Sequence, residues 1–162
     1  MFEIMYAGNG IGLAANQVDL PYRMFVMNLR SDPEALDEEH VFINPVIAKR
    51  SGSAEAEEGC LSFPGIYAPV RRSEKIVLSA YNPVGQEMTY ELDGLYARAV
   101  QHETDHLDGV VFIDRLSPSA KLAVKERLAD LERQFEGDRR RGLLPDDEEI
   151  FAKLAELEKL RT

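Results

Sequence analysis

The stretch QHETDHLDG, residues 101–109, carries two of the three histidines in the chain. His102 and His106 are spaced so that an α-helix brings both imidazoles to one face, where each can offer a nitrogen to a single ion. Glu103 lies about 100° around the same helix, close enough to reach a water molecule on that ion. The pattern favours a metal site over the alternative, a polar helix with two surface histidines.

The ends of this helix are marked in the sequence. Asp93 is the predicted N-cap, because an aspartate side chain accepts from the free N–H groups of a first turn, and Gly109 is the predicted stop. Leu95 and Ala99 precede the histidines at helical spacing, so we predict that this face points inward. The imidazoles on it are then buried or face a cleft, where they need partners.

Short strands are predicted upstream of the helix. Runs rich in β-branched and aromatic residues, separated by turn residues, occur at 23–29, 41–50, 75–82 and 87–92. Asn44-Pro45 interrupts the second run, which predicts either an edge strand or a bent one.

Two further helices are predicted downstream. Ser117 caps the first, with Pro118 at its first position and Gly137 at its end. The second, at 145–161, has acids in its first turn and Lys159 in its last, a polarity that complements the helix dipole. The predicted fold class is α+β, with a strand-rich front and a helical back.

The composition excludes several classes of protein. The chain of 162 residues fits one domain with its own core, and its net charge is -10, with 19 basic and 29 acidic residues. A DNA partner is not expected for so acidic a chain, and residues 139–141, RRR, are interpreted as a solvated linker. Apolar runs long enough for a membrane span, secretory signals and cysteine pairs are all missing from the sequence, which predicts a cytoplasmic protein without a membrane partner.

Two histidines leave a metal ion short of ligands. An HExxH metallopeptidase takes its third ligand downstream, where Glu126 and Glu132 are available and no histidine follows His106. Upstream, Cys60 lies in a predicted loop, either as a ligand or as a small buried hydrophobe. His40 ends an acidic loop and is predicted to be exposed. The residues alone leave the third ligand open.

The stretch GIGLAANQ, residues 10–17, fits a dinucleotide-binding fingerprint through two glycines and an alanine. That fingerprint needs a preceding strand, whereas residues 1–8 are predicted to be the end of a helix, and no βαβ alternation follows. The other interpretation is that the glycines let the backbone approach another group closely. Gln17 then projects its amide beside that group.

Taken together, these stretches resemble the peptide deformylase family. The family carries the motifs G-x-G-x-A-A-x-Q, E-G-C-x-S and Q-H-E-x-x-H in this order, and they occur here at 10–17, 58–62 and 101–106. The resemblance extends over residues 1–135. It implies an α+β fold in which antiparallel β-sheets surround a central HExxH helix, with C-terminal helices.

The resemblance implies a reaction and its machinery. The substrate is the N-formylmethionyl end of a nascent polypeptide, and the products are formate and a free amino terminus. One divalent ion takes part, Fe²⁺ in the cell, with Zn²⁺ or Ni²⁺ as substitutes. The implied roles are metal ligand for Cys60, His102 and His106, general base for Glu103, and donor to the formyl oxygen for Gln17 and the backbone N–H of Leu61.

A pocket for the methionine side chain is also implied. The residues assigned to it are Gly10, Ile11, Gly12, Glu58, Leu95, Arg98 and Ala99. The apolar members have an alternative role in the core. Glu58 has one as well, since it can orient an imidazole from outside the ligand set.

The resemblance divides the chain into a catalytic domain at 1–136 and a linker with an acidic helix at 137–162. Relatives begin a few dozen residues further upstream, so Met1 is expected to fall inside their first helix, through truncation or because this chain dispenses with that segment. Ribosome docking through the acidic helix is not expected, and the helix either packs on the domain or forms a homodimer. The alternatives to a deformylase are an HExxH zinc peptidase and a deformylase-like interaction module.

Overall fold

The computed structural model describes residues 1–160, and every strand pairing within them is antiparallel. Short turns of 3₁₀ helix lie at Ala15–Val18, Leu36–Glu38 and Phe112–Arg115. The elements in chain order are α1 Phe2–Ala7, β1 Gly12–Ala14, β2 Met24–Met27, β3 His40–Ser51, β4 Ala54–Cys60, β5 Phe63–Arg72, β6 Lys75–Tyr81, β7 Glu87–Asp93, α2 Gly94–Leu107, α3 Pro118–Arg140 and α4 Asp147–Lys159. This arrangement confirms the predicted α+β class.

The main core lies between a five-stranded sheet and α2. The strand order is β1-β2-β3-β6-β7, and α2 packs across the sheet. The buried apolar residues that join them are Ala14, Phe25, Met27, Phe42, Ile76, Leu78, Ala80, Ala97, Ala99 and Val100. Removing this apolar surface from water fixes the helix on the sheet.

The other two strands, β4 and β5, form a separate hairpin on the opposite side of α2. Ile66, Ala68 and Val70 alternate along β5 and pack against Phe112 and the first turns of α3. Because α2 lies between this hairpin and the large sheet, all of its residues from 97 to 106 are buried. The histidine helix is therefore the centre of the fold.

The end of α2 is closed by a Schellman motif. Gly109 adopts a φ of 73° and its N–H donates to the carbonyl of His106, while the N–H of Val110 donates to that of Asp105. The predicted stop at Gly109 is confirmed. Asp93 is the N-cap, as predicted, although its side chain makes no capping hydrogen bond.

The predicted end of α3 at Gly137 is wrong. The helix begins as predicted, with the Ser117 hydroxyl accepting from the N–H of Ala120, but it continues to Arg140 and ends before Gly142, whose φ is 69°. Gly142 is the residue with left-handed backbone, whereas Gly137 is a half-buried helix position where glycine costs only about 1 kcal/mol relative to alanine. Residues 139 and 140 thus belong to a helix and not to a linker, and α3 crosses the division predicted at 136/137.

The break at Asn44-Pro45 bends a strand of the sheet interior. β3 pairs with β2 on one side and with β6 on the other, so the edge-strand alternative is wrong. The register shifts between Ile43 and Val46, and Asn44 has a φ of 49°. The bent-strand alternative is confirmed.

Two predictions about exposure are wrong. His40 is half-buried, because its ring packs between Phe42 and Tyr96, and this burial lowers its pKa. Leu95 is 55% exposed at the start of α2, whereas Ala99, one turn later, is buried as predicted. The first turn of α2 extends beyond the hairpin that covers the rest of the helix.

The last predicted helix is present as α4, although its Arg161 lies outside the described residues. The Asp146 carboxylate accepts from the N–H of Glu149 and caps it. Lys153 lies 3.6 Å from a carboxylate oxygen of Asp19, which brings α4 beside the body of the domain. Among residues 1–160, no helix combines the length and the apolar character that a membrane span requires.

Candidate metal centre

Three potential metal ligands converge between α2 and the hairpin. His106 Nε2 lies 3.2 Å from His102 Nε2 and 3.2 Å from Cys60 Sγ, and the ligand atoms of all three residues lie within 4.8 Å of one another. Cys60 is the last residue of β4, so the loop predicted around it is a strand end. Within residues 1–160, His40, Glu126 and Glu132 are not part of this group.

The residues present fit a tetrahedral ion. Bond lengths typical of zinc sites place two ligand nitrogens about 3.3 Å apart and a nitrogen and a sulfur about 3.6 Å apart, close to the observed separations. Glu103 Oε2 is buried and has no hydrogen-bond partner within residues 1–160, as expected for a carboxylate that faces the open position of such an ion. Thiolate and imidazole donors favour transition metals over Mg²⁺ or Ca²⁺.

The surroundings shift the pKa values of the two acidic groups of this centre, Cys60 and Glu103. Burial would raise the pKa of the Cys60 thiol, but hydrogen bonds with His102 and His106 and their charges lower it to about 6. The thiolate is the form that binds metal, and it predominates at neutral pH. Full burial raises the pKa of Glu103 to about 7, against the opposing charges of the histidines. A carboxyl that titrates near neutral pH is suited to accept and return a proton.

Glu58 orients His102 through the ring nitrogen that faces away from the ligand group. Its Oε2 lies 3.1 Å from His102 Nδ1, so the other ring nitrogen points at the ligand group. Arg72 donates to both oxygens of Glu58, at 2.7 and 2.9 Å, and Arg98 donates to one at 2.5 Å. Burial would raise the pKa of Glu58, but these partners lower it to about 2. The geometry thus agrees with the alternative role foreseen for Glu58.

Arg72 and Asp105 were missed in the sequence, although they support the same helix. Arg72 Nη1 donates to Asp105 Oδ2 at 2.7 Å, and Arg115 binds both oxygens of Asp105. The signal for Arg72 was its place in the alternation of β5, where Ile66 and Val70 face inward and an arginine occupies the next buried position on that side. A charge at a buried position requires a partner, which α2 supplies.

The backbone of 10–14 approaches the helix closely, as its glycines suggested. A Cβ atom built on Gly12 would lie 2.5 Å from Glu103 Oε1, and one built on Gly10 would lie 2.8 Å from Leu61 Cδ1. Gln17 is fixed beside them, since its Oε1 accepts from the N–H of Ala14 at 2.9 Å. Its Nε2 therefore faces Cys60 Sγ, at 3.6 Å, and donates to Ser62 Oγ at 2.9 Å.

A cleft of about 490 Å³ opens onto these groups. All seven residues predicted for the substrate pocket line it: Gly10, Ile11, Gly12, Glu58, Leu95, Arg98 and Ala99. Arg98 is held in the wall by Glu58 and by the carbonyls of Ala54 and Val70, which leaves it 8% exposed. Tyr67 and the start of β5 at Pro64-Gly65 form a part of the wall that the sequence did not indicate.

Replacing Gly12 by alanine should lower kcat/KM about 100-fold while the metal content stays at one ion per chain, because a displacement of about 1 Å at a reacting group costs this much. The new Cβ would push Glu103 away from its place. Steady-state kinetics with metal analysis measure both quantities. Gly137→Ala is the matched control, since its Cβ would meet nothing within 4 Å. Parent-like kinetics of Gly12→Ala would show that Glu103 does not depend on this contact.

Comparison with known proteins agrees with this geometry. Residues 1–122 match the family described as polypeptide deformylase. A peptide deformylase of Neisseria meningitidis serogroup C is 51% identical over 128 residues, which are 79% of this chain and 75% of that protein. One from Rhodopirellula baltica is 40% identical over 162 residues, 100% of this chain and 80% of that protein. The structure is similar to a peptide deformylase of Plasmodium falciparum, with a TM-score of 0.82 and 39% identity over 85% of this chain and 80% of that one.

Antiparallel sheets around a helix that presents two imidazoles, a nearby thiolate and a buried carboxylate define a hydrolase with a single metal ion. The similarities narrow this class: the chain belongs to the peptide deformylase family. It is an enzyme that removes the formyl group from the N-terminal methionine of polypeptides and depends on a divalent metal ion. The predicted resemblance is confirmed.

Proposed function

We propose that Cys60, His102 and His106 hold the ion and that Glu103 moves the proton in the hydrolysis of N-formylmethionyl peptides. The observation that carries this proposal is the convergence of the three ligand atoms beside a buried carboxylate oxygen with no partner among residues 1–160. The ion is Fe²⁺ in the cell, with Zn²⁺ or Ni²⁺ as substitutes, since imidazole and thiolate donors suit each of these metals.

Glu103 acts as base and then as acid. When bound, the ion lowers the pKa of a water molecule so that it can attack a carbonyl carbon at neutral pH. Glu103 accepts the proton of that water and returns it to the amide nitrogen as the bond to the formyl carbon breaks. Burial supports both steps, because it raises the pKa of this carboxyl to about 7. The products are formate and a free amino terminus.

Gln17 and the backbone N–H of Leu61 stabilise the charge that develops on the formyl oxygen. The Gln17 amide is fixed by Ala14, so its donor end points toward the ligand group without reorganisation during the reaction. Leu61 follows Cys60 directly, and its side chain lies against Gly8 and Gly10 across the cleft. Donors already aimed at a developing oxyanion contribute about 100- to 1000-fold to a rate.

The cleft recognises an unbranched apolar side chain. Ile11, Leu95 and Ala99 supply apolar wall, and the charge of Arg98 is neutralised by Glu58 inside the wall. A flexible thioether fills such an irregular apolar space well. The substrate is a nascent polypeptide, which places the enzyme in the cytoplasm. Ribosome docking is not assigned to α4, because its sequence DEEIFAKLAELEK is net acidic.

The decisive experiment separates deformylase from peptidase. The protein is loaded anaerobically with Fe²⁺ or Ni²⁺ and incubated with a formyl-Met tripeptide and with an internal-cleavage peptide. We expect formate and a new amino terminus from the first and no cleavage of the second. Internal cleavage without formate would favour the zinc peptidase. A bound ion with no turnover of either substrate would favour the interaction module.

A further inference from the structure

A second cavity, of about 380 Å³, lies on a neighbouring face of α2 and shares no lining residue with the metal cleft. Its wall contains Arg50, Arg71, Arg72, Arg115, Gln101 and Asp105. We propose that it binds a phosphate group, either inorganic phosphate or a small phosphomonoester. This inference stands apart from the deformylase reaction, since none of these residues belongs to the proposed ligands or proton carriers.

The charge of the lining is strongly positive in a chain whose net charge is -10. Four arginines and one carboxylate, Asp105, line the cavity. Both oxygens of Asp105 already accept from Arg72 and Arg115 at 2.7 to 3.1 Å. Arg72 also pairs with Glu58, which is not part of the lining. Arg71 pairs with Glu55 at 3.4 Å, where both side chains are exposed and the interaction is weak. A concave site with excess positive charge attracts anions.

Arg50 is the arginine of this cavity that has no carboxylate partner of its own within residues 1–160. No carboxylate lies within ion-pair distance of it anywhere in residues 1–160, as the ion pairs of that part of the chain show. Its Nη1 donates to Gln101 Oε1 at 3.0 Å. Gln101 is 3% exposed and is fixed by Ser73 and Ala97, so the guanidinium is positioned by a buried group. Four of its five N–H groups remain available to an occupant.

The hydrogen-bond donors of the lining favour phosphate as the ligand. Arginine forks match the oxygen pairs of phosphate, and the hydroxyls of Ser53 and Ser73 can donate to the remaining oxygens. The one acidic group is already saturated by arginines, so a ligand that only accepts hydrogen bonds is preferred. The volume falls within the usual range for small-molecule sites, about 300–1000 Å³, which leaves room for the organic part of a monoester.

The test is equilibrium binding of inorganic phosphate to the metal-loaded protein, by calorimetry at constant ionic strength. Arg50→Gln removes the charge and leaves a shorter polar side chain, and Arg133→Gln, from an exposed arginine of α3, is the matched control with the same change in length and charge. We expect the control to bind as the parent does and Arg50→Gln to bind at least about tenfold more weakly, the loss typical of a hydrogen bond from a charged group. Circular dichroism confirms that both variants fold.

Equal affinity of Arg50→Gln and parent would overturn the proposal, because the anion would then lie elsewhere, at the metal or adventitiously. Affinity of the parent weaker than about 10 mM would also overturn it. A second arm uses glycerol 3-phosphate and acetate. Tighter binding of the monoester identifies a phosphorylated molecule as the occupant, and tighter binding of phosphate identifies the free ion. Acetate binding as tight as that of phosphate, with the same loss in Arg50→Gln, would contradict the phosphate assignment.

Discussion

Replacing Cys60 by serine should leave the protein folded but without its metal ion. Burial and two histidines act on this thiol, and the net effect is a pKa of about 6, so the residue supplies a thiolate. A serine hydroxyl stays protonated there and offers neither negative charge nor a soft donor atom. Removing a group outside the ligand set lowers metal affinity roughly 10- to 100-fold. Cys60→Ser should lower it further, because it removes a ligand. Metal content after gel filtration measures it.

Ser62→Ala is the control for metal binding, because Ser62 lies in the same turn and accepts from Gln17 without belonging to the ligand group. It should retain one ion per chain. If Cys60→Ser also retained a tightly bound ion, the third ligand would have to come from elsewhere, as in an HExxH zinc peptidase. This variant therefore distinguishes the two enzyme classes by metal content, independently of any substrate.

The central helix could be predicted from the sequence because its signals are local. The spacing of His102 and His106 and the stop at Gly109 depend on residues within two turns of one another. The same holds for the cap at Ser117. Gly137 shows the limit of such signals, since two glycines near a helix end are equivalent until the backbone of Gly142 is seen to be left-handed.

The hairpin β4–β5 could not be predicted from local sequence signals. β4 reads AEAEEGC, a run of alanines and glutamates that favours helix, and only Glu58 among its residues is fully buried. β5 contains two prolines and a glycine, which argue against a strand interior, but within residues 1–160 only one edge of β5 is paired. The hairpin is stabilised by apolar packing against α3 and the turn at Phe112 and by ion pairs with α2, contacts that are distant in sequence.

The buried charges of the site have the same non-local origin. Glu58, Arg72 and Asp105 come from β4, β5 and α2, and each is expensive to bury unless the other two are present. Nothing in their spacing links them. The spacing of His102 and His106 already indicated a metal site, and the resemblance of short motifs added Cys60, whereas the charged network around them required the structure.

Replacing Glu103 by glutamine should remove activity while the metal and the fold remain. Glutamine has the same shape, so the contact with Gly12 is kept, but the amide cannot accept the proton of the attacking water. Loss of a positioned general base costs about 100- to 10,000-fold, here expected in kcat with KM little changed. Formate release under anaerobic conditions measures the rate, and metal analysis should still give one ion per chain.

The stability of this variant provides a second readout that a merely structural role would not give. Glu103 is a buried carboxylate whose Oε2 lacks a partner within residues 1–160, and burial raises its pKa to about 7. Such a group opposes folding at pH values above its unfolded pKa, because the folded chain must desolvate its charge. In metal-free protein at pH 8, Glu103→Gln should therefore melt at a higher temperature than the parent. The control Glu126→Gln, from the exposed face of α3, should change neither the rate of formate release nor the melting temperature. A lower melting temperature together with retained activity would mean that Glu103 contributes to packing and not to catalysis. A higher melting temperature together with lost activity would identify Glu103 as a catalytic group that destabilises the fold.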